Sequence, residues 1–242
     1  MSTTFRNRSD AGRQLARRLA RYTGLADVTV LALPRGGVPV GYEVALALRA
    51  PLDVFVVRKL GVPGQEELAM GAVASGGSCV LNNDVVQALG VPSQTIAAIA
   101  ARELREVERR ERAYRGNRAA PDVRGRTVIV VDDGLATGST MRAAVAALRR
   151  LGPARIVAAV PVAARESLAE LAPLVDQCVC EITPEPFHAV GLWYDDFTPT
   201  ADDEVRELLE GAASPSIRTS ERVLDVTESE PLPAHNGEGR SS

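Results

Sequence analysis

The chain has 242 residues, 45% of them hydrophobic, enough for one sizeable domain with a real core. Its 28 Lys and Arg against 31 Asp and Glu give a net charge of −3, which offers no electrostatic case for nucleic-acid binding. The three cysteines form no disulfide framework, the N-terminus lacks a signal-type apolar segment, and the longest apolar runs are too short to span a bilayer, so a cytoplasmic protein is expected.

Ser9 to Tyr22 reads as a short Arg-rich helix with Leu15, Ala16 and Leu19 on one face. Val28 to Leu33 is a strand, Gly36 and Gly37 make a turn, Val38 to Arg49 is a helix and Val54 to Val57 a second strand. That order is a βαβ unit with parallel strands. Arg58 and Lys59, the latter the single lysine of the chain, close the second strand at the carboxyl edge where α/β sheets bind ligands. Arg58 to Gly77 is glycine-rich and shows a period only from Leu68 to Ala74, which predicts a mobile loop with an edge hairpin. A long helix runs from Ser93 to about Tyr114, with Ile96, Ala100, Leu104 and Val107 as its apolar stripe. Its outer face mixes signs and is read as a solvated surface with pairs such as Glu108–Arg112, in preference to a polyanion-binding helix. Thr127 to Val131 is a strand, Met141 to Leu151 a helix, and Ile156 to Val162 and Val175 to Ile182 are strands around a helix from Arg165 to Leu171. Cys178 and Cys180 are expected on opposite sides of their strand, a poor arrangement for a shared metal and better read as buried thiols. Asp202 to Leu209 is a last short helix; residues 1–210 form the domain, and 211–242 read as a disordered tail.

One stretch concentrates the chemistry: Val128-Ile129-Val130-Val131-Asp132-Asp133-Gly134-Leu135-Ala136-Thr137-Gly138-Ser139-Thr140. A buried strand leads into two carboxylates, then a loop of small residues and hydroxyls, then a helix. Backbone N–H groups at a helix start favour a phosphate, and Thr137, Ser139 and Thr140 add donors. Carboxylates facing that phosphate would repel it. Facing a ribose 2′,3′-diol, they are pure acceptors for two donors. The run therefore fits a sugar phosphate. A nucleotide P-loop would require a Lys before the Ser/Thr, and Gly138 stands there.

These 13 residues resemble the phosphoribosyl-pyrophosphate (PRPP) motif of the type I phosphoribosyltransferases. The resemblance implies a Rossmann-like, doubly wound, mainly parallel α/β sheet with a small hood and a flexible loop. It implies that Ala136, Thr137, Gly138, Ser139 and Thr140 grip the 5′-phosphate. Asp132 and Asp133 would hold the diol, act with Arg35 as the catalytic set, and help place a Mg2+ indirectly. In Leu33-Pro34-Arg35-Gly36-Gly37, the residues Arg35, Gly36 and Gly37 match the family's pyrophosphate loop, with a non-proline cis peptide expected at Pro34–Arg35. Lys59 becomes a further phosphate contact. Leu60 to Gly71 falls where the family has its flexible loop, with Gly61, Gly64 and Gly71 as hinges.

Phe187, Trp193, Tyr194 and Phe197 fall within 11 residues of a chain that is only 4% aromatic. Residues of about 183–200, with the N-terminal segment, would form the hood, and Phe187 would stack on the base. Ala136 stands where the 6-oxopurine enzymes carry a third acid, which leaves the acceptor open among nitrogenous bases, purine-like favoured. The expected partners are PRPP and that base, with no nucleic acid, no membrane, and a second copy of the chain in a homodimer. A PRPP- or nucleotide-sensing regulator on the same fold is the alternative.

Overall fold

Every residue of Val28–Ala32 (β1) and of Thr127–Val131 (β6) is buried. A strand covered on both faces belongs in a parallel sheet between helix layers. The structure, a computed structural model, describes residues 4–116 and 118–213. The remaining strands of the main sheet are Leu52–Val54 (β2), Arg155–Val162 (β7) and Gln177–Ile182 (β8). All pairs are parallel, in the order β2-β1-β6-β7-β8. The mainly parallel α/β class expected from the sequence is the one observed.

Period-two alternation divides the side chains between two cores. Val28, Val30, Ile129 and Val131 pack toward Arg8–Arg18 (α1), Gly37–Leu48 (α2), Ser93–Arg115 (α4) and Asp202–Ala213 (α7). Leu31, Val128, Val130 and Ile156 pack toward Ser139–Leu151 (α5) and Arg165–Leu171 (α6). A short helix, Asn83–Ala88 (α3), precedes α4. No helix among the described residues is long and apolar enough to cross a membrane.

The chain runs from β1 through α2 to β2 at one edge, then returns to build β6, β7 and β8 on the other side of β1. The turns after β1 and β6 therefore diverge at the carboxyl ends of two neighbouring strands. This is the crevice where open α/β sheets bind ligands.

The structure corrects several expectations. The second parallel strand ends at Val54 and does not continue to Val57, because Val56 N–H donates to Ser75 Oγ at 2.8 Å and the chain crosses into another sheet. That sheet is antiparallel: Val57–Val62 (β3), Gln65–Ala74 (β4) and Ser78–Leu81 (β5). Arg58 and Lys59 thus lie inside β3, not at the end of β2. The stretch expected as a mobile loop with an edge hairpin is strand-paired almost throughout, as an antiparallel hairpin with a register shift at Gly61 and a turn at Gly64. Gly61 and Gly71 are sites of close backbone approach: a Cβ on Gly61 would stand 2.7 Å from the Glu66 carbonyl oxygen, and one on Gly71 would overlap that of Val80. Cys178 and Cys180 share one face and one core, as strand residues two apart must. Burial raises both thiols, Cys180 to about 12. Arg112 Nε donates to the Glu108 carbonyl oxygen at 3.4 Å. The last helix continues through Ala213, past the expected start of the tail at 211, and the rest of that tail lies outside the described residues.

Candidate active site

Gly36 and Gly37 open α2 in direct contact with the two carboxylates. A Cβ on Gly36 would overlap Asp133 Oδ2; one on Gly37 would stand 2.7 Å from the Val131 carbonyl oxygen and 3.0 Å from Asp132 Cα. The backbone of the first turn is pinned to the motif strand by Leu33 N–H donating to the Val131 carbonyl at 2.8 Å. The Pro34–Arg35 peptide is cis. The two motifs that the sequence holds about 100 residues apart thus share one crevice.

Asp132 and Asp133 are recessed, with the Asp133 side chain 17% exposed. Asp133 N–H donates to Asp132 Oδ1 at 2.9 Å. Burial, then the neighbouring Asp133 charge, push the Asp132 carboxyl well above the usual carboxylate range. Burial also raises Asp133, against the pull of Arg8. Arg8, at the start of α1, donates from Nε to Asp133 Oδ2 at 2.8 Å.

Above this pair sits the aromatic segment. Phe5, Ala11, Val162 and Tyr194 form a small core, with Phe187, Val190, Trp193 and Phe197 packed on it. Phe5 and Tyr194 form an isolated parallel bridge, with ring centroids 5.4 Å apart. The Tyr194 hydroxyl donates to the Asp133 carbonyl oxygen, which ties this layer to the carboxylates. Phe187 is half-buried within it.

The hydroxyl loop is braced from behind. Gly138 adopts φ 70°, a conformation that costs glycine nothing, and its carbonyl accepts from Arg142 N–H at 2.9 Å in the first turn of α5. Arg142 Nη1 donates to the Thr137 carbonyl at 2.8 Å and to Glu170 at 2.9 Å. The Ser167 hydroxyl donates to the Ala136 carbonyl. Thr137 Oγ1 and Ser139 Oγ lie 3.2 Å apart. Thr137, Ser139 and Thr140 line a cleft of about 630 Å³ together with Arg58, Lys59 and Arg102. Beneath it, Glu103 is buried on α4 and accepts from Arg58 Nε at 3.0 Å and Arg102 Nε at 3.0 Å. Burial raises this carboxyl, and the two guanidiniums outweigh it and hold the group below its ordinary value.

Lys59 is therefore brought to the hydroxyl loop. Arg35 faces elsewhere: it is half-exposed, with Nη1 3.8 Å from Asp202 Oδ1 on α7. The same Asp202 oxygen accepts from the Tyr114 hydroxyl at 2.8 Å. Burial, then this contact, push that phenol up to about 12.

Sequence reasoning missed Arg8, Arg142 and the buried Glu103 that joins Arg58 to Arg102. Arg142 was the most accessible, since it lies within one helical turn of the loop it braces. Arg8 carries no local signal, because its partner is 125 residues away.

A family model described as "Phosphoribosyl transferase domain" matches residues 4–195. Two Mycobacterium tuberculosis proteins, "Putative phosphoribosyl transferase Rv0571c" of strain ATCC 25618 / H37Rv and "Putative phosphoribosyl transferase MT0597" of strain CDC 1551 / Oshkosh, are each 49% identical over 208 residues. That alignment covers 86% of this chain and 47% of each of theirs, so the chain spans about half the length of these curated relatives. The crystal structure of TT1426 from Thermus thermophilus superposes with a TM-score of 0.79 at 41% identity, over 87% of this chain and 100% of that one.

Proposed function

Because the chain belongs to the phosphoribosyl transferase domain family, we propose that it is a pentosyltransferase: it transfers the 5-phosphoribosyl group of PRPP to a nitrogenous base, purine-like, and releases pyrophosphate. The observation that carries this reading is the junction of Gly36 and Gly37 with Asp132 and Asp133 beside the hydroxyl loop. A phosphate, a diol and a diphosphate each find chemically matched groups around one crevice.

In this reading the 5′-phosphate takes the loop from Ala136 to Thr140 and the start of α5. The diol donates to the two carboxylates. The amides of Gly36 and Gly37 receive the pyrophosphate together with Lys59, and Arg35 joins them by leaving its contact with Asp202. A ring nitrogen of the base attacks C1 as the bond from C1 to the pyrophosphate oxygen breaks. Charge develops on the ribose ring, as in glycosyl transfer generally, so the protein acts mainly by positioning and electrostatic stabilisation. The aromatic layer with Phe187 supplies a flat apolar surface for the base.

The donor set fits Mg2+. Two adjacent carboxylates suit an ion that keeps several waters and takes substrate oxygens through one or two protein groups. Asp132 and Asp133 would help hold it, and when bound it would neutralise charge on the leaving pyrophosphate.

Isothermal titration with PRPP and Mg2+ tests the reading directly. Saturable, Mg2+-dependent binding is expected, followed by pyrophosphate release in the presence of a purine base. No binding at millimolar PRPP would overturn it. The sensing alternative would use the arginines of α4, but several of these are engaged internally: Arg109 and Arg110 with Glu106, and Arg115 with Glu111 and Asp53.

A further inference from the structure

Each of the two carboxylates has one oxygen engaged within the protein. Asp132 Oδ1 accepts from Asp133 N–H at 2.9 Å, and Asp133 Oδ2 accepts from Arg8 Nε at 2.8 Å. Among the described residues, no side chain other than Arg8 donates to either carboxylate. The pair therefore offers one open oxygen per carboxylate, which is the requirement of a vicinal diol with two donor hydroxyls.

Arg8 is itself fixed. Its Nη1 donates to the Thr198 carbonyl at 2.8 Å, its guanidinium lies 3.9 Å from the Phe197 ring centroid, and its side chain is 11% exposed. Gly36 packs against the same oxygen: a Cβ there would overlap Asp133 Oδ2 and stand 3.2 Å from Arg8 Nε. Two adjacent carboxylates repel, and an unopposed Asp133 would rotate away from Asp132. A cation on Oδ2 offsets that repulsion and leaves Oδ1 open. Lysine is a poorer fit in this place, because its compact ammonium lacks the planar fork that reaches the carboxylate and the Thr198 carbonyl while lying on the Phe197 ring.

We infer that Arg8 is the positioning residue for ribose recognition, locking Asp133 so that the two carboxylates present one open oxygen each to the 2′- and 3′-hydroxyls. The inference rests on the sugar-phosphate reading proposed above and adds a residue from the far end of the chain to it. It also gives the aromatic layer a second role, since Phe197 and Thr198 hold the guanidinium that orients the carboxylate.

Ribose 5-phosphate and 2-deoxyribose 5-phosphate carry the same phosphate and differ by one hydroxyl of the diol. Their binding to wild type, Arg8→Lys and Arg8→Ala is measured by calorimetry, with inorganic phosphate as the control for the hydroxyl loop. Circular dichroism and thermal melting first establish that the variants fold. Wild type is expected to prefer the ribose compound by about tenfold or more, the effect of one charge-assisted hydrogen bond. Arg8→Ala is expected to bring the ratio near one with phosphate affinity unchanged, and Arg8→Lys to retain part of it. Should Arg8→Ala fail to fold, Arg8→Lys and Phe197→Leu carry the comparison, both with reduced discrimination.

A fall of all three affinities together would mean a merely structural Arg8 and overturn the inference. So would discrimination equal to wild type in the folded variants, and in that case the diol reading stands. A wild type that binds both sugars alike overturns the diol reading and the inference with it.

Discussion

Gly36 owes its identity to its neighbour and not to its own backbone, which is helical at φ −60°. Any side chain there would displace the Asp133 carboxylate. Gly36→Ala is therefore expected to cost about 1–3 kcal/mol of stability by overpacking, and to weaken PRPP binding, as read by urea denaturation and calorimetry. Asp132 has the opposite character, being tolerated at a cost. Because burial and Asp133 raise its carboxyl, the folded protein keeps a proton that the unfolded chain has already released. Excess protons on the folded state mean that stability falls as pH rises through the window between the unfolded and the raised value. Asp132→Asn keeps the oxygen that accepts from Asp133 N–H and removes the charge. It is expected to be more stable than wild type at neutral pH, with the gap closing as pH falls toward about 4. Urea midpoints across that range check the sign.

Among the elements, α4 does more than cover the sheet. Its apolar stripe is interrupted by two buried charged residues, Glu103 and Arg115. Glu103 anchors β3 through Arg58. Arg115 clamps β2, with Nε 2.8 Å from Asp53 Oδ1, Nη1 2.7 Å from Glu111 and Nη2 2.7 Å from the Val54 carbonyl. Burial raises the Asp53 carboxyl even against this partner. Removing one member of such a pair strands a buried charge, so Arg115→Ala is expected to lose about 3–5 kcal/mol. The double variant Arg115→Met with Asp53→Asn should lose clearly less, and a double-mutant cycle in urea measures the difference. The hairpin of β3 and β4 shows why the glycine-rich stretch was hard to read. Leu60, Val62 and Met70 are buried as strand residues should be, but Gly61 and Gly71 are required by backbone approach, and they erase the alternation from the sequence.

At the scale of the whole molecule, the segment around Phe5 is joined to the segment around Tyr194, far along the chain. Phe5 N–H donates to the Trp193 carbonyl at 2.8 Å, and Asp195 N–H to the Phe5 carbonyl at 2.8 Å. Phe5 is 2% exposed against Tyr194. Phe5→Ala is expected to destabilise the fold by about 3–5 kcal/mol, measured in urea. It should also loosen Arg8, three residues on.

By itself, the sequence determined the parallel sheet, the two glycine-bearing strand-to-helix turns and the family. Each is a local pattern: the unbroken apolar run of Val128 to Val131 requires burial on both faces, and glycines beside small hydroxyl residues mark where a strand turns into a helix. Its element boundaries along α2, β6 and α6 fall within a residue or so of those observed. Only the tertiary structure decided how the turns meet. The strand order places Gly36 against Asp133, the crossover at Val56 moves Lys59 into an antiparallel sheet facing Thr137, and Arg8 reaches a carboxylate 125 residues away. The reason is physical. Periodicity and turn chemistry act over a few residues and are written locally, whereas a buried ion pair or a close backbone approach exists only once packing has brought distant segments to within a few ångströms.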